Sequence, residues 1–191
     1  MNIYLAHDCF TQGQINQAME IDDLLTGIFD DVGIYNPSKF EFNDKQESSF
    51  VSGYDILVSD FKDVANSDLI ILCLDTEDLG VVAEGAYAFS LGLPVFILLT
   101  DSRFTPYNGN QSMDDKYEEA KKDIFQLDYK YFNKLISGMA YGNKFGQQYG
   151  VDHEVIHRPL IFHNTDDLVE AVQEYVLNGE VLSEQTKKMM H

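Results

Sequence analysis

The sequence predicts a doubly wound α/β fold, a five-stranded parallel sheet with helices on both faces. Three observations carry the prediction. Asp68-Leu-Ile-Ile-Leu-Cys-Leu-Asp75 and Leu93-Pro-Val-Phe-Ile-Leu-Leu99 are apolar runs too short for helices and too continuous for strands with one wet face, so both read as buried parallel strands. Between them residues 81–91 read as helical and Gly92 as the terminator, a strand–helix–strand unit whose crossover is right-handed. Strand-like and helix-like segments also alternate along the rest of the chain, without the antiparallel neighbours that an α+β arrangement needs.

The elements follow in order. Residues 2–6 (Asn-Ile-Tyr-Leu-Ala) form strand one, and His7-Asp-Cys-Phe-Thr11 is the loop after it. Residues 12 to about 29 are helical, with Ile15, Met19, Leu24, Leu25 and Ile28 at helical spacing. Asp30-Asp31 breaks this helix, and residues 32–35 make strand two, closed by the turn signal Asn36-Pro37. Residues 38–52 read as a polar loop able to cover a pocket. Residues 52–67 form a second helix with Ile56, Leu57, Phe61 and Val64 as its buried face, leading into strand three at Asp68. After strand four, residues 101–112 are turn-rich. Residues 113–136 read as a long helix, acidic at its start with Lys121, Lys122, Lys130 and Lys134 later, as the helix dipole prefers. A Gly/Gln-rich loop at 138–150 precedes strand five at 159–162, and Asn164 caps a last helix over 166–177. Residues 1–177 thus make one domain and 178–191 a polar tail. Strand one is expected directly beside strand three, the flavodoxin-like (Rossmann-like) order.

The chain carries 13 basic against 32 acidic residues, a net charge of −19. Without a basic stripe to displace counterions, nucleic acid and anionic membranes are excluded as partners, and a neutral or cationic small molecule is favoured over a highly phosphorylated one. No apolar run approaches the roughly 18 residues of a membrane span, and the first residues lack the pattern of a signal peptide. Cys9 and Cys73 sit in apolar surroundings and read as small core residues of a reducing compartment; no Cys/His spacing suggests zinc. The expectation is a cytoplasmic protein without metal or organic cofactor.

Motifs for nucleotide phosphates and the serine nucleophile elbow are absent, which leaves carboxylates. Asp75, Glu77, Asp78 and Glu84 follow the end of strand three, where an open α/β sheet forms its ligand crevice; Asp60 lies on the preceding helix and Tyr4 on strand one. Gathered carboxylates suit chemistry at an anomeric carbon, one attacking and one managing the leaving group's proton. Glu84 near a helix N-terminus would be held ionised by the dipole. From spacing alone the plainer reading is dipole complementation by Glu84 and turn chemistry at Asp78, with Asp75 and Glu77 as solvated turn residues. His7 and Asp8, in the first loop, are further candidates for touching substrate.

A family resemblance raises the weight of the chemical reading. Asp78-x-Gly80-x-x-x-Glu84-Gly-Ala-Tyr87-Ala, followed by Leu91-Gly-Leu-Pro-Val95, resembles the signature of the nucleoside 2-deoxyribosyltransferase family. Ile3-Tyr-Leu-Ala6 with Phe10, Asp60 before the Asn66-Ser-Asp-Leu69 strand entry, and Asn133-x-Leu135-x-x-Gly138 resemble three further segments of that family, in the same order. The resemblance implies a ping-pong transfer without cofactor. Glu84 would attack C1′ of a 2′-deoxynucleoside, oriented by Tyr4, and Asp60 would pass the proton to the departing base and take it from the incoming free nucleobase, with net retention. Asp78 and Asn133 would hold sugar hydroxyls, Asn133 across a subunit interface of a homo-oligomer (a dimer or trimer of dimers) with composite active sites, and Phe10 would line the pocket. Nucleotide salvage is the implied setting.

Departures are visible. Members tend to be shorter and to end in a tyrosine whose terminal carboxylate approaches the site, whereas this chain ends Lys187-Lys-Met-Met-His191. Residues 101–132 are an insertion before Asn133, and Gly85-Ala86 stands where Ile-Gly or Leu-Gly is more usual. Two rival readings share the fold. One is an N-glycosidase of deoxynucleosides or their 5′-monophosphates, resembling enzymes that hold phosphate with a serine- and glycine-rich first loop and an arginine; this first loop is acidic and has none. The other is a non-catalytic nucleoside or nucleotide-derivative sensor.

Overall fold

The computed structural model describes residues 1–39, 52–76, 78–101, 127–128, 132–141 and 160–178. In chain order come β1 (Asn2–Ala6), α1 (Gln12–Ile28), β2 (Gly33–Tyr35), α2 (Gly53–Ala65), β3 (Leu69–Cys73), α3 (Leu79–Ser90) and β4 (Val95–Leu98). They are followed by β5 (Leu127–Asp128), β6 (Phe132–Asn133), the four-residue helix α4 (Lys134–Ser137), β7 (Ile161–Phe162) and α5 (Thr165–Asn178). The main sheet has the order β2-β1-β3-β4-β7 with every pair parallel, so the doubly wound fold and the adjacency of β1 and β3 are as predicted.

The central strands behave as their composition requires. All residues of β3 and β4 are buried, because helices cover both faces of the sheet. The chain steps one way from β1 to β2 and the other way from β2 onward. Right-handed crossovers therefore put α1 on one face and α2 with α3 on the other. The reversal opens a crevice at the C-terminal ends of β1 and β3, where an open sheet of this kind binds ligands.

Capping fixes where the helices begin. Thr11 and Gln14 make a capping box on α1, Ser52 and Asp55 one on α2, and Asp78 accepts from the Gly80 and Val81 amides at the start of α3. Gly92 closes α3 with φ +79: its N–H donates to Phe89 O (3.0 Å) and that of Leu93 to Ala88 O (3.1 Å), a left-handed turn that glycine adopts at little cost. Asn164 caps α5 by accepting from the Asp167 amide at 2.8 Å.

Three expectations are corrected, and the apolar positions read on α1 sort into buried and exposed ones. The buried stripe of α1 is Ala18, Ile21, Asp22 and Leu25, whereas Leu24 and Ile28 are exposed, because the helix is rotated to bury an acid. Of the four residues expected to face inward from α2, only Val64 is buried; Ile56 and Leu57 are exposed, since only the last turns of α2 reach the sheet and α3. The helix expected over 113–136 gives way, among the described residues, to the antiparallel pair β5–β6 and the short α4. Phe132, an aromatic, favours the extended strand over the helix that the charge pattern suggested. Finally, Glu84 is the sixth residue of α3, in its second turn rather than its first, because the helix starts at Leu79. Of the loop predicted over 38–52, Ser38 and Lys39 lie in a 3-10 turn (Pro37–Lys39) and Ser52 caps α2; residues 40–51, Glu77, 102–112, 142–150 and the tail 179–191 lie outside the described residues.

Candidate active site

The site begins with a close approach of helix to strand. A Cβ on Gly85 would stand 2.4 Å from Leu72 Cδ1, so the absence of a side chain there lets α3 lie directly on β3. That contact lowers the neighbouring Glu84 over the edge of β1, where Tyr4 points out of the sheet on the same face. Tyr4 Oη donates to Glu84 Oε1 at 3.0 Å, joining residues that are 80 positions apart in the chain.

Asp60 completes the group. Phe61, the next residue on α2, stacks on Tyr87, one turn beyond Glu84 on α3, with ring centroids 4.3 Å apart and planes 6° from parallel. The stack fixes α2 against α3 and holds the Asp60 carboxylate in electrostatic reach of both Glu84 and Tyr4.

Burial and like charges set the protonation of these groups. Burial pushes Glu84 up to about 8; the hydrogen bond from Tyr4 opposes the rise, and Asp60 and Asp78 add to it. The dipole of α3 therefore does not hold Glu84 ionised, as its expected place in the first turn implied; in the second turn burial dominates. Tyr4 is raised far above the ordinary phenol range by burial, then by Glu84 and Asp60, so it remains a donor. Asp60 is raised by burial and by the adjacent Asp63. Two acids with competing claims on a proton sit beside a neutral phenol, an arrangement suited to nucleophilic attack by one carboxylate and proton transfer by the other.

The remaining candidates are placed differently. Asp78 caps α3 through Oδ1, at 2.7 Å from Gly80 N and 3.1 Å from Val81 N, and its charge still reaches Glu84. Phe10, expected to line the pocket, is 78% exposed: the loop after β1 turns His7 and Asp8 inward, at 6% and 5%, and leaves Phe10 to solvent. Asn133 lies in β6, and its side chain is outside the described set. Asp75 is no solvated turn residue, because its carboxylate accepts from Thr100 N (2.5 Å), Thr100 Oγ1 and Asp101 N (3.1 Å), bracing the end of β3 to the end of β4. Cys73 is buried as expected, and Cys9 is partly exposed in the first loop.

A buried polar chain behind this loop was not anticipated. Lys39 pairs with Asp22 (2.8 Å), Asn36 Nδ2 donates to Asp22 Oδ2 (3.0 Å), and Asn36 Oδ1 stands 2.8 Å from His7 Nε2. His7 Nδ1 lies 2.8 Å from the Asp8 carbonyl, so the network anchors the backbone of the first loop. A signal was present: Asp22 follows Ala18 by four residues and precedes Leu25 by three, the spacing of a core-facing stripe. Among the described residues no group of three His, Cys, Asp or Glu side chains could hold a metal ion, and no helix is long and apolar enough to cross a membrane.

No protein-family profile matches the chain, and no curated protein matches it by sequence. Among solved structures, a conserved protein from Enterococcus faecalis V583 superposes with a TM-score of 0.64 at 24% identity, over 91% of this chain and 98% of that one. This likeness establishes the shared doubly wound fold. A 2-deoxyribosyltransferase from Bacillus psychrosaccharolyticus aligns over 82% of this chain and 96% of its own at 17% identity and a TM-score of 0.48. A CMP N-glycosidase from Clostridium botulinum aligns over 52% of this chain and 71% of its own at 18% identity and 0.38.

Proposed function

We propose that the protein transfers the 2-deoxyribosyl group of a 2′-deoxynucleoside to a free purine or pyrimidine base through a covalent glutamyl intermediate. The observation that carries this reading is the Tyr4–Glu84 hydrogen bond with Asp60 beside it, at the crevice end of the sheet. The ordered resemblance of four sequence segments to the nucleoside 2-deoxyribosyltransferases supports it independently.

The chemistry follows from the geometry. Tyr4 occupies Oε1 and orients the carboxylate, leaving Oε2 to approach C1′. As the C1′–O bond forms, the C1′–N bond breaks and its electron pair goes to the base, which takes a proton from Asp60. In the second half an incoming base attacks C1′ and gives its proton to Asp60, and Glu84 leaves as the carboxylate. Two inversions at one carbon amount to net retention. The reactive state has Glu84 ionised and Asp60 protonated; burial raises both acids, and Glu84, which holds a proton up to about 8, reaches this state by giving that proton up.

In this reading Asp78 and Asn133 hold sugar hydroxyls, and Asn133 does so in a neighbouring subunit, so the active unit is a homo-oligomer. The test is product chromatography after incubation with 2′-deoxyuridine or 2′-deoxyinosine, with and without adenine, beside a Glu84→Ala control. Deoxyadenosine formed only with adenine and intact Glu84 supports the transferase. Base and free sugar released regardless of adenine replace it with a hydrolase. No Glu84-dependent product refutes both.

A further inference from the structure

β1, the strand of Tyr4, ends at Ala6, and beyond it the first loop is held by side chains. On one side Asp8 accepts from Gln14 Nε2 at 2.8 Å and from the Thr76 hydroxyl. On the other, His7 Nε2 stands 2.8 Å from Asn36 Oδ1, which also accepts from the Ser38 amide at 3.1 Å and hydroxyl at 2.7 Å. A backbone amide can only donate, so Ser38 fixes which end of the Asn36 side chain faces His7. Asn36 Nδ2 then donates to Asp22 Oδ2 at 3.0 Å, and Asp22 Oδ1 pairs with Lys39 at 2.8 Å. His7, Asn36 and Asp22 are buried, whereas the Lys39 side chain is 43% exposed. A line of polar contacts thus runs from a surface ammonium to the loop that continues the strand of Tyr4.

The residue this line places is Cys9. Its thiol contacts the His7 carbonyl at 3.9 Å and His7 Nδ1 at 4.0 Å, and the same Nδ1 lies 2.8 Å from the Asp8 carbonyl. The position of Cys9 therefore follows that of the His7 ring. Cys9 is half-buried and stands in the field of Glu84, Asp60 and Asp78, whereas Phe10 turns out to solvent. The first loop meets the reacting acids through a small, weakly polar side chain carried on a rigid, buried support. A covalent glutamyl intermediate needs a wall of this kind, because water competes with the incoming base for C1′.

Resting on the proposed function, we infer that His7 is a positioning residue: tied through Asn36 and Asp22 to Lys39, it holds Cys9 against the crevice and sets how the glutamyl intermediate divides between base and water. Where the loop loosens, water attacks C1′ and its proton passes to Asp60. The C1′–O bond to Glu84 breaks, its electron pair returns to the carboxylate, and free 2-deoxyribose leaves. Hydrolysis thus grows at the expense of transfer, with every group that performs the chemistry still in place.

The test reads two quantities on the full chain. One is the ratio of free 2-deoxyribose to deoxyadenosine formed from 2′-deoxyuridine and adenine, which does not depend on how much of the protein is folded. The other is the rate at which iodoacetamide alkylates Cys9, followed by peptide mass and separable from Cys73. His7→Phe and Asn36→Leu should each raise the ratio about 3- to 10-fold, the span of one net hydrogen bond, and raise the alkylation rate with it. The double variant should exceed neither single one, as for two members of one line. Lys39→Met, at the exposed end, should move both readings the same way by less, and Lys39→Arg should restore them. These two variants decide the matter if the buried ones do not fold. Thr100→Val is the control: it cuts the Thr100 hydroxyl contact to Asp75 beyond β3, and should lower the urea midpoint while leaving both readings unchanged. A ratio that stays constant in the His7, Asn36 and Lys39→Met variants, or rises equally in Thr100→Val, overturns the inference and leaves the transferase intact. So does a raised ratio with Cys9 alkylated no faster. An unaltered protein that forms no Glu84-dependent product overturns the proposed function, and this inference with it.

Discussion

Glu84→Gln should stabilise the protein while abolishing transfer, and the gain should appear only as the pH rises. The folded state holds the Glu84 proton to about pH 8, against an ordinary value of 4.5. Between these values the folded chain binds a proton that the unfolded chain has lost, so stability falls with rising pH across this window. At about 1.4 kcal/mol per pH unit, the full interval sets a ceiling of about 5 kcal/mol by pH 9. Glutamine keeps the shape and the carbonyl that accepts from Tyr4, and has no charge to desolvate. Relaxation of the site and entry of water reduce the ceiling by about half, which for a chain of this size leaves a Tm increase of roughly 5–10 °C at pH 9. At pH 5 the two proteins should melt within a degree or two of each other, by the same linkage. The assay is thermal unfolding of both proteins at pH 5, 7 and 9, with urea unfolding at each pH to check that the m-value is unchanged. A difference that does not grow with pH, or a less stable Glu84→Gln at pH 9, would refute the claim that burial holds this carboxyl protonated.

Three further outcomes follow from the same geometry. Tyr4→Phe removes the one contact that lowers the Glu84 pKa, so the pH dependence of kcat/KM should move upward from about 8 and the rate at pH 7 should fall by about 10- to 100-fold; an unmoved profile would separate Tyr4 from the carboxylate. Asp60→Asn removes the proton carrier and should cost about 10²–10⁴ in kcat with ordinary bases but much less with a donor whose base leaves unprotonated; equal losses on both would assign Asp60 a structural role. Gly85→Ala puts a methyl group 2.4 Å from Leu72 Cδ1 in the fully buried core and should lower stability by about 1–3 kcal/mol, read as a lower urea midpoint; an unchanged midpoint would mean that α3 is not pressed onto β3.

The parts of the fold legible in the sequence are those where one local pattern admits one structure. Leu69–Cys73 and Val95–Leu98 are apolar at every position, and only a strand covered on both faces uses such a run. Gly92 could be read as a stop because the turn after α3 needs a positive φ. Where local signals conflicted the reading failed. The charge gradient over 113–136 imitated a helix, yet residues 127–128 and 132–133 pair as strands. Apolar Ile56 and Leu57 imitated a buried face, yet α2 reaches the core only near its C-terminal end.

The site divides along the same line, and the division has a physical cause. Glu84, Asp78 and Asp60 could be grouped because they flank one strand, and a sheet of this kind collects ligands at strand ends. Their protonation could not be read that way, since it depends on burial and on partners from elsewhere in the chain. The phenol beside Glu84 comes from β1, delivered by the order of the sheet, and the helix dipole near Glu84 is outweighed by desolvation. Asp8 is the sharper case. In sequence it is one acid in a chain with 32. In space one of its oxygens is satisfied from α1 and the β3 turn while the other is buried without a donor. An acid satisfied on both oxygens would brace the loop, as Asp75 braces β4, and an exposed one would be solvated. Half-satisfaction under burial is a state that neither description covers, and it exists only once α1 and the β3 turn close over the first loop.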